Sequence, residues 1–269
     1  MSILLTTHTL SKHFARSSGL WTRAKEAPSL VKAVDAVSMD LYEGEVFGLL
    51  GQSGSGKTTL ARLLLRLLEP TSGTIHFEGR DILAMDEPAL KQHLRRKAHM
   101  IFQHPDAALN PAFTVRRILD QALRTHTSLA QTERLEQGLA LLQEVGLSPA
   151  HRDKYPHELS SGEKRRISIG RALATNPHLL IADEPVSGLD VTLQRRIMDL
   201  LLRLREERGL TLMLIAHNVN LVHAACDRLG VMQAGRLVET GPRDAMTPAT
   251  CQHPHTRALF DARLSANGW

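Results

Sequence analysis

Gly51-Gln52-Ser53-Gly54-Ser55-Gly56-Lys57-Thr58, followed by Thr59, is the stretch that decides the fold. It satisfies the Gly-x-x-x-x-Gly-Lys-(Ser/Thr) pattern, Walker A, and its flanks give that pattern meaning. Upstream, Glu45-Val-Phe-Gly-Leu-Leu50 is an apolar run of strand length. Downstream, Leu60, Leu63, Leu64, Leu67 and Leu68 recur at the helical period, predicting a helix over Lys57 to Leu68. Strand, glycine turn and helix in that order make an anion cradle. The glycines let backbone N–H groups turn inward toward phosphate oxygens, Lys57 can neutralise β and γ phosphates, and Thr58 offers a hydroxyl to magnesium. Binding of ATP or GTP follows from the pattern.

Outward from the loop, Glu69-Pro-Thr-Ser-Gly73 breaks the helix, and short strands are expected at Thr74 to Glu78 and His99 to Phe102. From about Asp106 to Tyr155 the periodicity turns helical, with one helix expected to open at a Ser128-Leu-Ala-Gln131 capping box and end at Gly146. Strand signals return at Leu179 to Ala182 and Thr211 to Ala216, separated by a helix over Val191 to Arg208. Leu229 to Gln233 and Arg236 to Thr240 read as a hairpin about Ala234-Gly235, and Pro254 to Leu264 as a terminal helix. The alternation predicts an α/β core with a parallel sheet, interrupted by one helical insertion.

The 269 residues can bury a sizeable core, and 42% hydrophobic with 23% charged residues is an ordinary soluble, globular balance. The longest apolar runs, such as Val46 to Gly51 and Leu179 to Ala182, fall far short of the roughly 20 residues a spanning helix requires. The N-terminus shows no secretory pattern, so a cytoplasmic location is expected. Cys226 and Cys251 have no partner at metal-ligand spacing and support neither a disulfide framework nor zinc. A formal charge of +5 suits nucleic acid, anionic headgroups or nucleotide phosphates equally.

Leu179-Leu-Ile-Ala-Asp183-Glu184 is an apolar strand that delivers two carboxylates at its C-terminal end, where ligands of open α/β sheets collect. Asp183 is the natural magnesium partner. Glu184 is the candidate to polarise the water that attacks a γ-phosphate. In isolation such a pair is more often a solvated turn; its partnership with the loop at Gly51 makes it a candidate site.

Tyr155-Pro-His-Glu-Leu159-Ser160-Ser161-Gly162-Glu163-Lys-Arg-Arg166 resembles the signature of the ATP-binding cassette (ABC) family, usually Leu-Ser-Gly-Gly-Gln. Gln103 in Ile101-Phe-Gln-His-Pro resembles that family's Q-loop, Ser187-Gly-Leu-Asp190 its D-loop, and His217 in Leu214-Ile-Ala-His its switch histidine. Phe14 stands where the family places an aromatic against adenine. The motifs occur in family order across about residues 10 to 240.

The resemblance implies a P-loop NTPase core of ABC type, a parallel sheet with an antiparallel β subdomain and a helical insertion. Residues 1–103 and 168–245 would be the nucleotide-binding core, 104–167 the helical signature subdomain and 246–269 a short C-terminal extension. It implies Glu184, His217 and Gln103 in catalysis, Phe14 and Gly51 through Thr59 on ATP, and Thr58, Gln103 and Asp183 around Mg2+.

The signature also has a physical reading. Ser160 and Glu163 form a Ser-x-x-Glu capping box, fixing a helix N-terminus whose N–H groups and dipole favour a phosphate. In the family that end faces ATP held by a second ATPase subunit, so the chain is expected to work as a pair. Ser161 stands in place of glycine and Glu163 in place of glutamine, adding a side chain and a negative charge near an anion. An asymmetry follows: a competent site on this chain's own loop, and an impaired one completed by its signature.

Gln103-His-Pro-Asp-Ala-Ala-Leu-Asn-Pro111, Tyr155-Pro-His-Glu158 and His253-Pro-His-Thr-Arg-Ala-Leu259 resemble the branch that serves oligopeptide, dipeptide and nickel or metal-chelate uptake. That branch implies an ATPase bound peripherally at the cytoplasmic face of a bacterial inner membrane. Its partners would be two permease subunits, a second and often different ATPase subunit and, indirectly, a substrate-binding protein. The alternative is a soluble ATPase of carbon–phosphorus lyase type. Nucleic acid is not an expected partner, because DNA-repair relatives insert long coiled-coil arms between Walker A and signature. No iron–sulfur cluster is expected with Cys251 alone near the C-terminus.

Overall fold

The computed structural model describes residues 2–15 and 30–264. Residues 1, 16–29 and 265–269, which belong to the expected core and C-terminal extension, lie outside the described residues. The elements in chain order are β1 (Ile3–Ala15), β2 (Leu30–Tyr42), β3 (Val46–Gly51), α1 (Lys57–Leu64), β4 (Ser72–Phe77), β5 (Arg80–Asp81), α2 (Glu87–His93) and β6 (Ala98–Ile101). Then come α3 (Pro105–Ala108), α4 (Val115–His126), α5 (Gln131–Glu144), α6 (Ser161–Leu173), β7 (Leu179–Asp183), α7 (Val191–Arg208) and β8 (Thr211–Ala216). The chain finishes with α8 (Val219–Ala225), β9 (Arg228–Gln233), β10 (Arg236–Pro242) and α9 (Pro254–Leu264). Two compact units result, Met1–Asp86 with Ile215–Trp269, and Glu87–Leu214.

The first unit contains an antiparallel sheet in the order β2-β1-β4-β5. Leu5, Leu10, Val34, Leu41, Ile75 and Phe77 fill its core. The two long strands β1 and β2 escaped the sequence reading, and their register explains why. It shifts repeatedly, as between Thr7 and Leu10, and Thr9 and Ala36 adopt positive φ, so side-chain alternation is reset along each strand. Also in this unit, β3 runs parallel to β9 from Phe47↔Arg228 to Gly51↔Met232, and β10 returns antiparallel to β9 as the expected hairpin. All six residues of β3 are buried, as befits a parallel strand covered on both faces.

In the second unit β6 pairs in parallel with β7, from Ala98↔Leu179 to Ile101↔Ala182. The residues between β6 and β7 supply the expected helices, α3 to α6. Helix α7 matches its expected span and ends at Gly209 in the left-handed conformation. Ile197, Leu201 and Leu204 of α7 and Ile167 and Ile169 of α6 are buried.

Two expectations need correcting. Helix α1 stops at Leu64, not Leu68: Arg66 takes a positive φ of 47° and its guanidinium donates to the carbonyls of Ile82 and Met85. The leucine period runs on through a turn that is no longer helical, leaving Leu67 about half exposed. Helix α5 begins at Gln131 after Ala130, not at a Ser128 cap; Glu133 Oε2 accepts the Ala130 N–H at 2.6 Å and closes that end.

Candidate functional site

In the first unit the loop from Gly51 to Thr59 closes around the amine of Lys57. Lys57 is 6% exposed, and Nζ donates to Gly51 O at 2.8 Å, Gln52 O at 2.9 Å and Ser55 Oγ at 3.5 Å. Gln52, Ser53 and Gly54 are exposed at the loop crest, Ser55 is buried, and Thr58 and Thr59 lie half-buried in the first turn of α1. The glycines answer to close approach. Gly56 has φ of 105°, and a Cβ there would stand 2.1 Å from the Ala33 carbonyl oxygen on β2; at Gly51 it would stand 2.5 Å from Met232 O on β9. The hairpin turn joins the brace, because Gly235 N donates to Ser55 O at 3.0 Å while Gly235 O accepts from Asp35 N at 2.9 Å. The cradle is therefore held from outside by β2 and the β9–β10 turn.

Phe14, near the end of β1, is 40% exposed, and Lys12 Nζ sits 5.4 Å from its ring centroid. His217 follows β8 directly and is exposed. Its backbone is set by the next residue, since the Asn218 side chain caps α8 by accepting from Asn220 N at 3.0 Å and Leu221 N at 3.3 Å.

In the second unit Asp183 is the last residue of β7 and only 2% exposed. Glu184 follows with φ of 46°, an uncommon conformation for a non-glycine residue and one that concentrates at functional sites. The turn is closed by Ser187 N donating to Glu184 O at 3.2 Å. Asp190 then caps α7, its Oδ1 accepting from Leu193 N at 3.0 Å. Gln103, just beyond β6, donates from Nε2 to Glu184 Oε2 at 2.9 Å.

The Q-loop backbone is held by a residue the sequence reading passed over. Arg165 is 2% exposed and donates from its guanidinium to Phe102 O and to Gln103 O, each at 2.8 Å. The run Glu163-Lys-Arg-Arg166 gives no sign that one of its cations points inward. Lys164 pairs instead with Asp106 at 2.6 Å.

At the signature, Ser160 is the N-cap of α6. Its Oγ accepts from Glu163 N at 3.3 Å, and Glu163 Oε2 accepts from Ser160 N at 2.8 Å. Ser161 is exposed and its φ is not positive, so its side chain strains nothing within this chain. Gly162 is buried, with Leu193 of α7 near enough to meet an added Cβ at 3.5 Å. Thus the structure brings together Gly51 through Thr59 within the first unit, and Gln103 with Glu184, and Gly162 with the start of α7, within the second.

The donors suggested for a divalent cation are an amide oxygen, a carboxylate and a hydroxyl, from Gln103, Asp183 and Thr58. Hard oxygen ligands of this kind fit Mg2+.

Residues 34–187 match the ABC transporter family. The chain is 42% identical over 254 residues to the oligopeptide transport ATP-binding protein AppF of Bacillus subtilis, covering 94% of this chain and 76% of that one. It is 39% identical over 258 residues to the dipeptide transport ATP-binding protein DppF of Escherichia coli, covering 96% and 75%. Among solved structures, the ATP-binding cassette MJ0796, a dimer in a post-hydrolysis state bound to ADP and Pi, matches with a TM-score of 0.77 at 26% identity, covering 89% of this chain and 98% of that one.

Proposed function

This chain belongs to the ABC transporter family as an ATP-hydrolysing cassette, and from that premise we propose that it energises the uptake of peptides through two permease subunits, alongside a second ATPase subunit. A substrate-binding protein would deliver the cargo. No helix among the described residues is long and apolar enough to cross a membrane, which agrees with peripheral attachment at the cytoplasmic face of the inner membrane. The relatives' names speak for peptide rather than nickel or metal-chelate cargo, and they do not favour a carbon–phosphorus lyase assembly.

The observation that carries the reading is the contact of Gln103 with Glu184 at the end of β7. In the proposed reaction Phe14 stacks on adenine, and the backbone N–H groups of residues 51–59 with Lys57 bind the phosphates. Gln103 orients a water and Glu184 accepts its proton as the oxygen attacks the γ-phosphorus; ADP leaves as the P–O bond breaks. His217 donates to the γ-phosphate. Thr58, Gln103 and Asp183 would hold Mg2+, whose chemistry is to screen the phosphate charge.

Residues 1–103 and 168–245 would act as the nucleotide-binding core, 104–167 as the helical signature subdomain and 246–269 as an extension. The signature, Ser160 through Glu163, would receive ATP bound to the second subunit, and the D-loop, Ser187 to Asp190, leads into the cap of α7. ATP would close the pair because the closed state binds it more tightly, and product release would reopen it. The expected asymmetry between the two sites is tested by comparing turnover for Ser161→Gly and Glu163→Gln; no change in either removes it.

Affinity purification from native membranes, followed by mass spectrometry, tests the assignment. Integral membrane permeases of peptide uptake support it. Soluble phosphonate enzymes in their place overturn it.

A further inference from the structure

His151 lies in a 3-10 turn, Pro149–Asp153, that packs against α4 and α5, and both of its ring nitrogens meet acceptors. Nδ1 is 3.0 Å from the Ser148 carbonyl oxygen, and Nε2 is 2.8 Å from Glu163 Oε1. A carbonyl oxygen and an ionised carboxylate only accept, whereas a neutral imidazole carries a single N–H. Making both bonds requires hydrogen on both nitrogens, which is the imidazolium cation.

The carboxylate it meets is ionised. Glu163 Oε2 accepts the N–H and the O–H of Ser160, each at 2.8 Å. These bonds, the Ser160 backbone N–H foremost and then His151 and the Ser160 hydroxyl, hold the Glu163 carboxyl down to about 2. With 16% and 29% of their side chains exposed, His151 and Glu163 are screened by solvent less than a surface pair.

We propose that His151 is a positioning residue of the signature: its cation neutralises Glu163 at the N-terminus of α6, so that this helix end accepts a phosphate although a carboxylate stands where the family has glutamine. A bare anion at the third helical position would compete with an incoming phosphate for the same N–H groups and the same positive dipole end. Paired with His151, the carboxylate keeps its capping role and part of its repulsion is offset, which leaves the site completed by this signature weakened rather than closed. This rests on the signature receiving ATP, as proposed above.

The test measures KM for ATP and kcat of the purified transporter assembly carrying His151→Ala, His151→Gln, Glu163→Gln and His151→Ala with Glu163→Gln. His151→Ala raises KM roughly three- to tenfold, with a smaller change in kcat. His151→Gln, which keeps a neutral donor and guards against loss of the fold, raises KM as well, because the charge is gone. In the Glu163→Gln background, His151→Ala leaves KM where Glu163→Gln alone put it. An equal rise in both backgrounds means that His151 only supports the fold and overturns the inference, as do a wild-type KM in His151→Gln and an unchanged KM in His151→Ala. If the wild-type assembly has no ATP turnover, or Glu184→Gln turns over like wild type, it is the functional assignment that fails instead.

Discussion

Gln103 Nε2 donates to Glu184 Oε2 across 2.9 Å, joining the second residue beyond β6 to the first residue beyond β7. The two strands run parallel and side by side, so their C-terminal ends release both side chains at the same edge. Glu184 leaves that edge in a left-handed conformation, and Arg165 fixes the carbonyl of Gln103 from behind. Each partner is thus placed by its own backbone, and the side-chain contact follows from the placement.

Glu184→Gln is expected to lower ATP turnover by about 10²- to 10⁴-fold, the range of a general base, while ATP binding persists. The substitution keeps size and retains a hydrogen-bond acceptor for Gln103. Single-turnover hydrolysis alongside equilibrium binding of labelled ATP checks it, and unchanged hydrolysis would remove Glu184 from its role.

Gly56→Ala should destabilise the first unit by about 2–4 kcal/mol and abolish nucleotide binding. The added methyl would meet the Ala33 carbonyl at 2.1 Å, and the φ of 105° is itself costly for any residue with a Cβ. Gly54→Ala is the contrast: its φ is also positive, but nothing lies within 4 Å, so only the backbone strain remains. Urea unfolding of both variants measures the difference.

Removing the buried guanidinium by Arg165→Met leaves Phe102 O and Gln103 O without their donor, and a loss of about 2–4 kcal/mol is expected. Arg165→Lys should recover only part of it, since an ammonium cannot reproduce the two-pronged geometry. Denaturant midpoints give the stabilities, and a fall in turnover for both variants would show that Gln103 depends on this support.

The Glu163 carboxyl is held below its ordinary value of 4.5, at about 2. A group depressed in the folded state adds stability that is present in full above its unfolded value and is lost as pH falls toward its folded one. The stability difference between the wild type and Glu163→Gln should therefore be present at pH about 4.5 and shrink as pH falls from there to about 2. Unfolding midpoints measured across that window check the sign.

Both cysteines are buried, and burial raises the Cys226 thiol far above its usual range. Cys226 should resist thiol reagents in the folded protein and react once it is unfolded, on the timescale of unfolding.

The features visible in the sequence are those whose geometry is local. The Walker loop, the acidic end of β7, the capping box at Ser160 and the hairpin about Ala234-Gly235 each close within a few residues, so spacing alone implies contact. The span of α7 was equally legible, because Asp190 and Gly209 mark its ends chemically. Helix α1 was overestimated since its leucine period outlasts its backbone geometry, which Arg66 redirects toward Ile82 and Met85. Strands β1 and β2 went unread because their bulges erase the alternation that identifies a strand.

What the tertiary structure alone decided are the contacts that sequence separation hides. Gln103 and Glu184 are 81 positions apart, Arg165 and Gln103 62, and His151 and Glu163 12. Residue type names what each group is able to do, but whether a cation points into solvent or onto a carbonyl depends on which elements pack beside it. The family, the ATP chemistry and the candidate residues were legible along the chain, because these rest on short motifs with their own backbone logic. The tertiary structure determined how Gln103 reaches Glu184, why Gly56 admits no side chain and which side chain meets the Glu163 carboxylate, because a hydrogen bond forms only where packing brings its two ends within about 3 Å.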